Sequence, residues 1–321
     1  MASTTLETVP LGGTGIEITR VGFGAWAIGG GGWQFGWGAQ DDDRSIAAIH
    51  RALELGVNWI DTARAYGFGR SERVVGRALA GLAERPYVFT KGGIVDDGDG
   101  RTRQTLGRDS LRREVEESLR NLGVDAIDLY QIHWPVPDEQ VEEGWATFAE
   151  LKREGLVRHI GVSNFSVGQL RRAQEIAPVE TLQPPYSLVD PSAADELLPW
   201  CAEHGIGTIV YSPMGSGLLS GAMTRERIAA LPDDDWRRRA AHFNEPEVGR
   251  HLATAERLAA VGARHGVTAG AVAVAWTLAN PAVDGAIVGF RAPEQVDPLI
   301  AAAALALTPE ELAEVEGRRP A

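Results

Sequence analysis

The chain has 321 residues, 44% apolar and 23% charged, a globular composition with room for one large domain or two modest ones. A formal net charge of −13 argues against general nucleic-acid binding, which needs basic surface. Cys201 is the one cysteine, which excludes an intrachain disulfide and every cysteine-based zinc spacing.

In chain order, residues 8–21 read as a hairpin with glycines at its turn, placed to close a barrel floor. "RVGFGA" (20–25) is a first strand and "DDRSIAAIHRALELG" (42–56) a helix stopped by Gly56. "VNWID" (57–61), a helix at 71–82, "YVFTKG" (87–92) and a helix at 109–123 capped by Asp109 or Ser110 follow. Next come a strand at 126–134, a helix at 139–155, a strand at 157–164 and a helix at 166–177. A strand at 179–187, a helix at 193–205 and a strand at 206–213 precede a long polar insertion. Helices near 247–264 and 268–279, a strand at 283–290 and a helix at 293–305 complete the series. Apolar runs here are interrupted by Asn280, Pro281 and Asp284, which argues against a membrane span; with no signal peptide visible, the chain reads as cytoplasmic.

Eight strands alternating with helices predict parallel βαβ units closed into a (β/α)8 TIM barrel of the α/β class, one domain over 1–321. An open doubly wound sheet is the alternative, but no Gly-x-Gly-x-x-Gly opens the first helix. Two long loops, 92–108 and 212–246, fall on the C-terminal face, where such barrels place their chemistry.

Four residues from neighbouring strands converge there: Asp61, Tyr66, Lys91 and His133. Each alone has a plainer role: helix cap, packed loop aromatic or solvated rim. Together they predict a pairing. A tyrosine near pKa 10 is a poor acid until an ammonium stabilises its phenolate, and the ammonium needs a counter-charge such as Asp61. A histidine beside the phenol can orient a carbonyl oxygen.

In "DTARAYGFGRSERVVG", "FTKGG" and "QIHWP" the chain resembles the aldo-keto reductases, with Arg64 where a proline is common. The similarity runs from "VGFGAWAIGG" to "VGFRAPEQV". The resemblance implies that Asp61, Tyr66, Lys91 and His133 form a catalytic tetrad, with Tyr66 as acid, in an NADP-dependent oxidoreductase that reduces carbonyls.

A hydride source must then be held without a Rossmann unit. The resemblance implies that Ser163, Asn164 and Gln183 grip the nicotinamide carboxamide and that Tyr211 stacks on its ring. A helix cap is the competing role for Ser163 and Asn164. The segment Ser212, Pro213, Met214, Gly215, Ser216, Gly217, Leu218 can turn backbone N–H groups toward an anion; a glycine hinge is its alternative. Gly289, Arg291 and Gln295 open the last helix, where the Arg291 guanidinium suits the extra phosphate of NADPH over NADH. The family often has a Glu-Asn pair for adenine shortly after the Gln295 position; Asp297, Pro298 and Leu299 stand here instead.

Trp26, Trp33, Phe35 and Trp37, spaced by glycines, together with Trp134, suit an apolar substrate wall or ordinary loop packing. The acidic "VDDGDG" and basic "WRRRAAH" runs read as solvated surface. The expected partner is a small carbonyl or alcohol substrate, with no nucleic acid, membrane or metal. A cofactor-binding regulatory subunit with little turnover is the competing function. A metal-dependent or two-carboxylate hydrolase lacks its residues. Substrate, direction and oligomeric state are not legible.

Overall fold

Strand alternation sets the architecture. The computed structural model describes residues 6–318. Eight parallel strands close a barrel: β3 (Val21–Gly24), β4 (Trp59–Asp61), β5 (Tyr87–Gly92), β8 (Ile127–Ile132), β9 (Val157–Ser163), β10 (Thr181–Gln183), β11 (Gly207–Val210) and β12 (Gly285–Gly289), the last returning to pair with the first. Two hairpins lie outside the barrel: β1 (Thr8–Pro10) with β2 (Glu17–Thr19) ahead of its first strand, and β6 (Ile94–Asp96) with β7 (Thr102–Gln104) between β5 and β8.

Successive side chains point to opposite faces of a strand. Ile60, Val88 and Leu182 therefore join the outer core beneath the helices, while Trp59, Phe89, Leu129, Ile209 and Ile287 fill the barrel interior. Leu11, Ile16 and Ile18 pack on that inner cluster, so the first hairpin closes the floor as expected. Gly22 makes room for it: a Cβ there would lie 2.2 Å from the Trp59 indole. Two residues further along three of these strands, the inward positions become polar: Asp61 after Trp59, Lys91 after Phe89, Gln131 after Leu129. This step from apolar floor to polar rim positions the site.

The helical layer comprises α1 (Asp42–Glu54), α2 (Arg70–Leu79), α3 (Arg108–Leu122), α4 (Val141–Arg153), α5 (Val167–Gln174) and α6 (Leu197–Glu203), then α7 (Arg225–Ala229), α8 (Glu247–His265), α9 (Ala269–Leu278), α10 (Val296–Ile300) and α11 (Pro309–Val315). In α1, Asp41 accepts from the Asp43 and Arg44 N–H groups, a cap worth about 1 kcal/mol. Its inner face is Ser45, Ala48, Ile49 and Ala52. Helix α3 ends on Gly123, whose φ of 68° favours glycine.

Several sequence expectations need correction. Helix α3 is capped by neither Asp109 nor Ser110; Gly107 precedes it, and Glu143 accepts from the Arg108 N–H. The strand expected at 179–187 stops at Gln183, because Pro184 and Pro185 have no N–H for the ladder. The loop 92–108 contains the β6–β7 hairpin, and the insertion contains α7. The helix expected at 293–305 breaks into 3-10 turns around α10, and α11 was not expected despite its Thr308–Glu311 capping box. Among the described residues no single helix is long and apolar enough to cross a membrane.

Candidate active site

The four strand-end residues meet. Lys91 Nζ lies 2.6 Å from Asp61 Oδ1 and donates to the Thr62 carbonyl at 3.0 Å and the Tyr66 hydroxyl at 3.3 Å. Asp61 and Lys91 are almost wholly buried, so the pair is desolvated on both sides. The His133 ring packs edge-on against the Tyr66 ring, centroids 5.6 Å apart. Asp61 is not a helix cap: α2 starts after Gly69. Arg64, where the family often has proline, reaches Glu117 at 2.5 Å and so ties the Tyr66 loop to α3.

Electrostatics differ from the expectation in one respect. Lys91 was expected to lower the Tyr66 pKa. Instead burial, then the Asp61 charge and Tyr211, push the phenol well above its ordinary value. The ammonium is largely neutralised by Asp61, and burial pulls its own pKa down. Burial and then the Lys91 charge hold His133 well below the usual histidine value, so its imidazole is neutral. Its Nδ1 is buried without a hydrogen-bond partner among the described residues. The site thus presents a protonated phenol and a neutral imidazole over a buried ion pair.

On the opposite side of the rim, Gln183 Nε2 donates to Asp61 Oδ2 at 2.9 Å and to Gln131 Oε1 at 3.2 Å. Gln131 was missed, although a glutamine two residues before His133 in an apolar strand must share its inward face. Ser163 Oγ donates to the Gln183 carbonyl at 2.7 Å; Asn164 Nδ2 donates to the His133 carbonyl at 2.9 Å. Tyr211 donates to Asn164 Oδ1 at 2.8 Å. The cap of α5 is Ser166, which removes the competing role for Ser163 and Asn164.

The segment from Ser212 to Leu218, through Pro213 and Met214, is a turn of repeated left-handed residues: Ser212 φ 55°, Gly215 φ 55°, Ser216 φ 54° and Gly217 φ 98°. Two serines in that region mark local strain of the kind concentrated at ligand sites. Gly289 faces open space. Arg291 donates from Nε to Gln40 Oε1 at 2.7 Å and from Nη2 to the Ala39 carbonyl at 2.6 Å, while Gln295 accepts from its N–H. Glu294 is occupied by Arg44, and Asp297 by Arg51.

Trp26 stacks 6.2 Å from Tyr66, Trp37 meets Trp26 edge-on at 5.2 Å, and Trp33 lies 6.3 Å from Tyr66. Phe35 packs edge-on against Trp33, 5.9 Å between centroids. Trp134 stands apart on the loop after β8, 39% exposed. The basic run is not simply solvated, contrary to expectation. Trp236 stacks on Trp26 at 5.1 Å, and the Arg237 guanidinium covers Trp37 at 4.4 Å. Arg237 is also forked onto Asp235, 2.9 and 2.6 Å, both residues buried. A tryptophan beside three arginines was the available signal: the aromatic has to bury its area somewhere, and a stacked guanidinium is one way to do it. Among the described residues no three His, Cys, Asp or Glu side chains gather to hold a metal.

The barrel agrees with the comparisons. The aldo/keto reductase family model matches residues 20–319. The chain is 38% identical to aldo-keto reductase YhdN of Bacillus subtilis (strain 168) over 297 residues, 92% of this chain and 88% of the relative. It is 36% identical over 313 residues to the NADH-specific methylglyoxal reductase of Escherichia coli (strain K12), 92% and 93% of the two chains. The solved glycerol dehydrogenase AKR11B4 from Gluconobacter oxydans superposes with a TM-score of 0.86 at 37% identity, covering 99% of this chain and 95% of that one. Aldo-keto reductase AKR11C1 from Bacillus halodurans (holo form) superposes with a TM-score of 0.77 at 25% identity, over 97% and 96%. The protein belongs to the aldo/keto reductase family. It is an oxidoreductase of a family that uses nicotinamide cofactors and acts on small carbonyl substrates.

Proposed function

We propose that the protein reduces an aldehyde or ketone with NADPH, Tyr66 acting as general acid. The observation that carries this is the Tyr66 hydroxyl, kept protonated by burial and held 3.3 Å from Lys91 Nζ. The bound nicotinamide supplies the hydride. Tyr66 gives its proton to the carbonyl oxygen as charge develops there, a contribution of about 10²–10⁴-fold in rate. Lys91 stabilises the phenolate as it forms, and Asp61 fixes Lys91. His133, neutral, orients the carbonyl oxygen, and the Trp26 and Trp33 rings beside Tyr66 keep water away.

The residues present fit the cofactor. Ser163, Asn164 and Gln183 would hold the carboxamide and Tyr211 the ring face. The left-handed turn at 212–217 and the open space at Gly289 suit the phosphates and adenosine. The name of the Escherichia coli relative specifies NADH. Arg291 supports NADPH here: its guanidinium is held in place by Gln40 and Ala39, and the nearby Glu294 carboxylate is taken up by Arg44.

Fluorescence titration with NADPH and NADH, followed by a panel of aldehydes and ketones, tests the reading. Tight binding with NADPH-dependent turnover supports it. Binding without turnover of any carbonyl points to a regulatory subunit, and no binding overturns both.

A further inference from the structure

A cleft of about 340 Å³ opens beside the candidate site, between the loops that follow β8, β9, β10 and β11 and the segment leading into α6. Asn164 and Tyr211 form its inner edge, and Asn164 is bonded to the His133 carbonyl. Trp134, the residue after His133, also lines it, so the cleft lies next to the place where a carbonyl would react. Trp134, Phe165, Pro184, Pro185 and Leu197 make its walls largely apolar. One lining residue is charged: Glu196. No lysine or arginine lines the cleft among the described residues, and Glu196 has no ion-pair partner among them. Asp195 precedes Glu196 in the chain, and the charge of Asp190 is felt at Tyr211.

We propose that this cleft receives the distal part of the substrate, an apolar group carrying a positive or neutral end, and that Glu196 selects against carbonyl substrates with an anionic tail. The inference rests on the reductase reading above and sharpens its substrate class. An apolar trough takes a ring or short chain along the Trp134 face. A carboxylate carried to its end meets Glu196 with no compensating cation, whereas an ammonium gains an opposite charge. The contact is identical in ground and transition states, so the selection falls on KM more than on kcat.

The test uses two aldehydes of similar reach, in which a methylene insulates the ring from the charge, 4-(trimethylammoniomethyl)benzaldehyde and 4-(carboxymethyl)benzaldehyde, with the shorter neutral 4-methylbenzaldehyde as reference. Each variant is scored by its own cation-to-anion ratio in kcat/KM, so partial loss of folded enzyme cancels. The wild type should favour the cation by roughly fivefold at low salt, and the gap should shrink at roughly 0.5 M salt. Glu196→Gln should bring the ratio close to unity, and Glu196→Lys should invert it. A wild-type ratio near unity, or a ratio that Glu196→Lys leaves unmoved, overturns the assignment of the cleft. Failure to turn over all three aldehydes overturns the reductase reading, and the proposal with it. Turnover of the neutral aldehyde without a charge preference overturns the proposal alone.

Discussion

Gln183 donates its side-chain N–H to Asp61 Oδ2 at 2.9 Å, joining residues 122 apart in the chain. The other oxygen of the same carboxylate holds Lys91 at 2.6 Å. One buried acid thus ties the Lys91–Tyr66 corner of the barrel to the strand end that faces it.

Breaking that tie should cost stability as well as activity. Lys91→Met leaves Asp61 charged and buried, and removal of one partner from such a pair costs about 3–5 kcal/mol. The double variant Asp61→Leu with Lys91→Met should recover much of the loss, because no lone charge remains. Urea unfolding of the three proteins measures it. A single variant within about 1 kcal/mol of wild type would mean that the pair is hydrated.

Glu114 on α3 predicts a pH dependence distinct from the site itself. It is buried against the Gly93 N–H and Ser110, and burial pushes its carboxyl up to about 7 from an ordinary 4.5. The folded state keeps that proton to higher pH than the unfolded chain. Stability should therefore fall as pH rises from about 4.5 to about 7, and level off above. Glu114→Gln should flatten this decline by up to about 3 kcal/mol. Unfolding midpoints at several pH values decide it; parallel curves for the two proteins would remove Glu114 as the source.

Arg237 holds an aromatic wall together. Arg237→Met leaves Asp235 buried without its partner and uncovers Trp37. Segment 231–243 should become sensitive to protease, and KM for benzaldehyde should rise by roughly fivefold or more with kcat largely kept. Arg237→Lys should not restore the wild type, since an ammonium lacks the planar fork. Unchanged proteolysis and KM would show that the stack is dispensable.

The barrel was legible because its strands and helices carry different apolar periods, and the meeting of Asp61, Tyr66, Lys91 and His133 because three polar residues end apolar strands. Less legible were features fixed by distant contacts. Gln131 shows its role once strand register is known, since it lies opposite Lys91 across the β5–β8 ladder. Trp236 and Arg237 sit in a run whose composition reads as surface, and burial comes from Trp26, Trp37 and Asp235 elsewhere in the fold. The Tyr66 pKa was misjudged for the same reason: spacing supplied the neighbouring ammonium, but not the desolvation that outweighs it. The proline pair that shortened β10 was visible, and its missing N–H groups should have ended that strand at Gln183.

We attribute the proposed preference for NADPH to Arg291. A charge-assisted hydrogen bond contributes about 1.5–3 kcal/mol, so NADPH should bind roughly tenfold to a hundredfold tighter than NADH. Arg291→Ala should erase most of that gap by weakening NADPH and sparing NADH. Equal binding of both cofactors by the wild type, or unchanged discrimination in the variant, removes Arg291 as the phosphate anchor.

The most direct measurement is single-turnover reduction of 4-methylbenzaldehyde by Tyr66→Phe carrying prebound NADPH. The substitution removes one oxygen and keeps the ring that packs against Trp26 and His133. NADPH affinity should stay within about twofold of wild type, while the rate of the chemical step falls by about 10²–10⁴-fold. A chemical step at wild-type speed in that variant would contradict the assignment of Tyr66 as the acid.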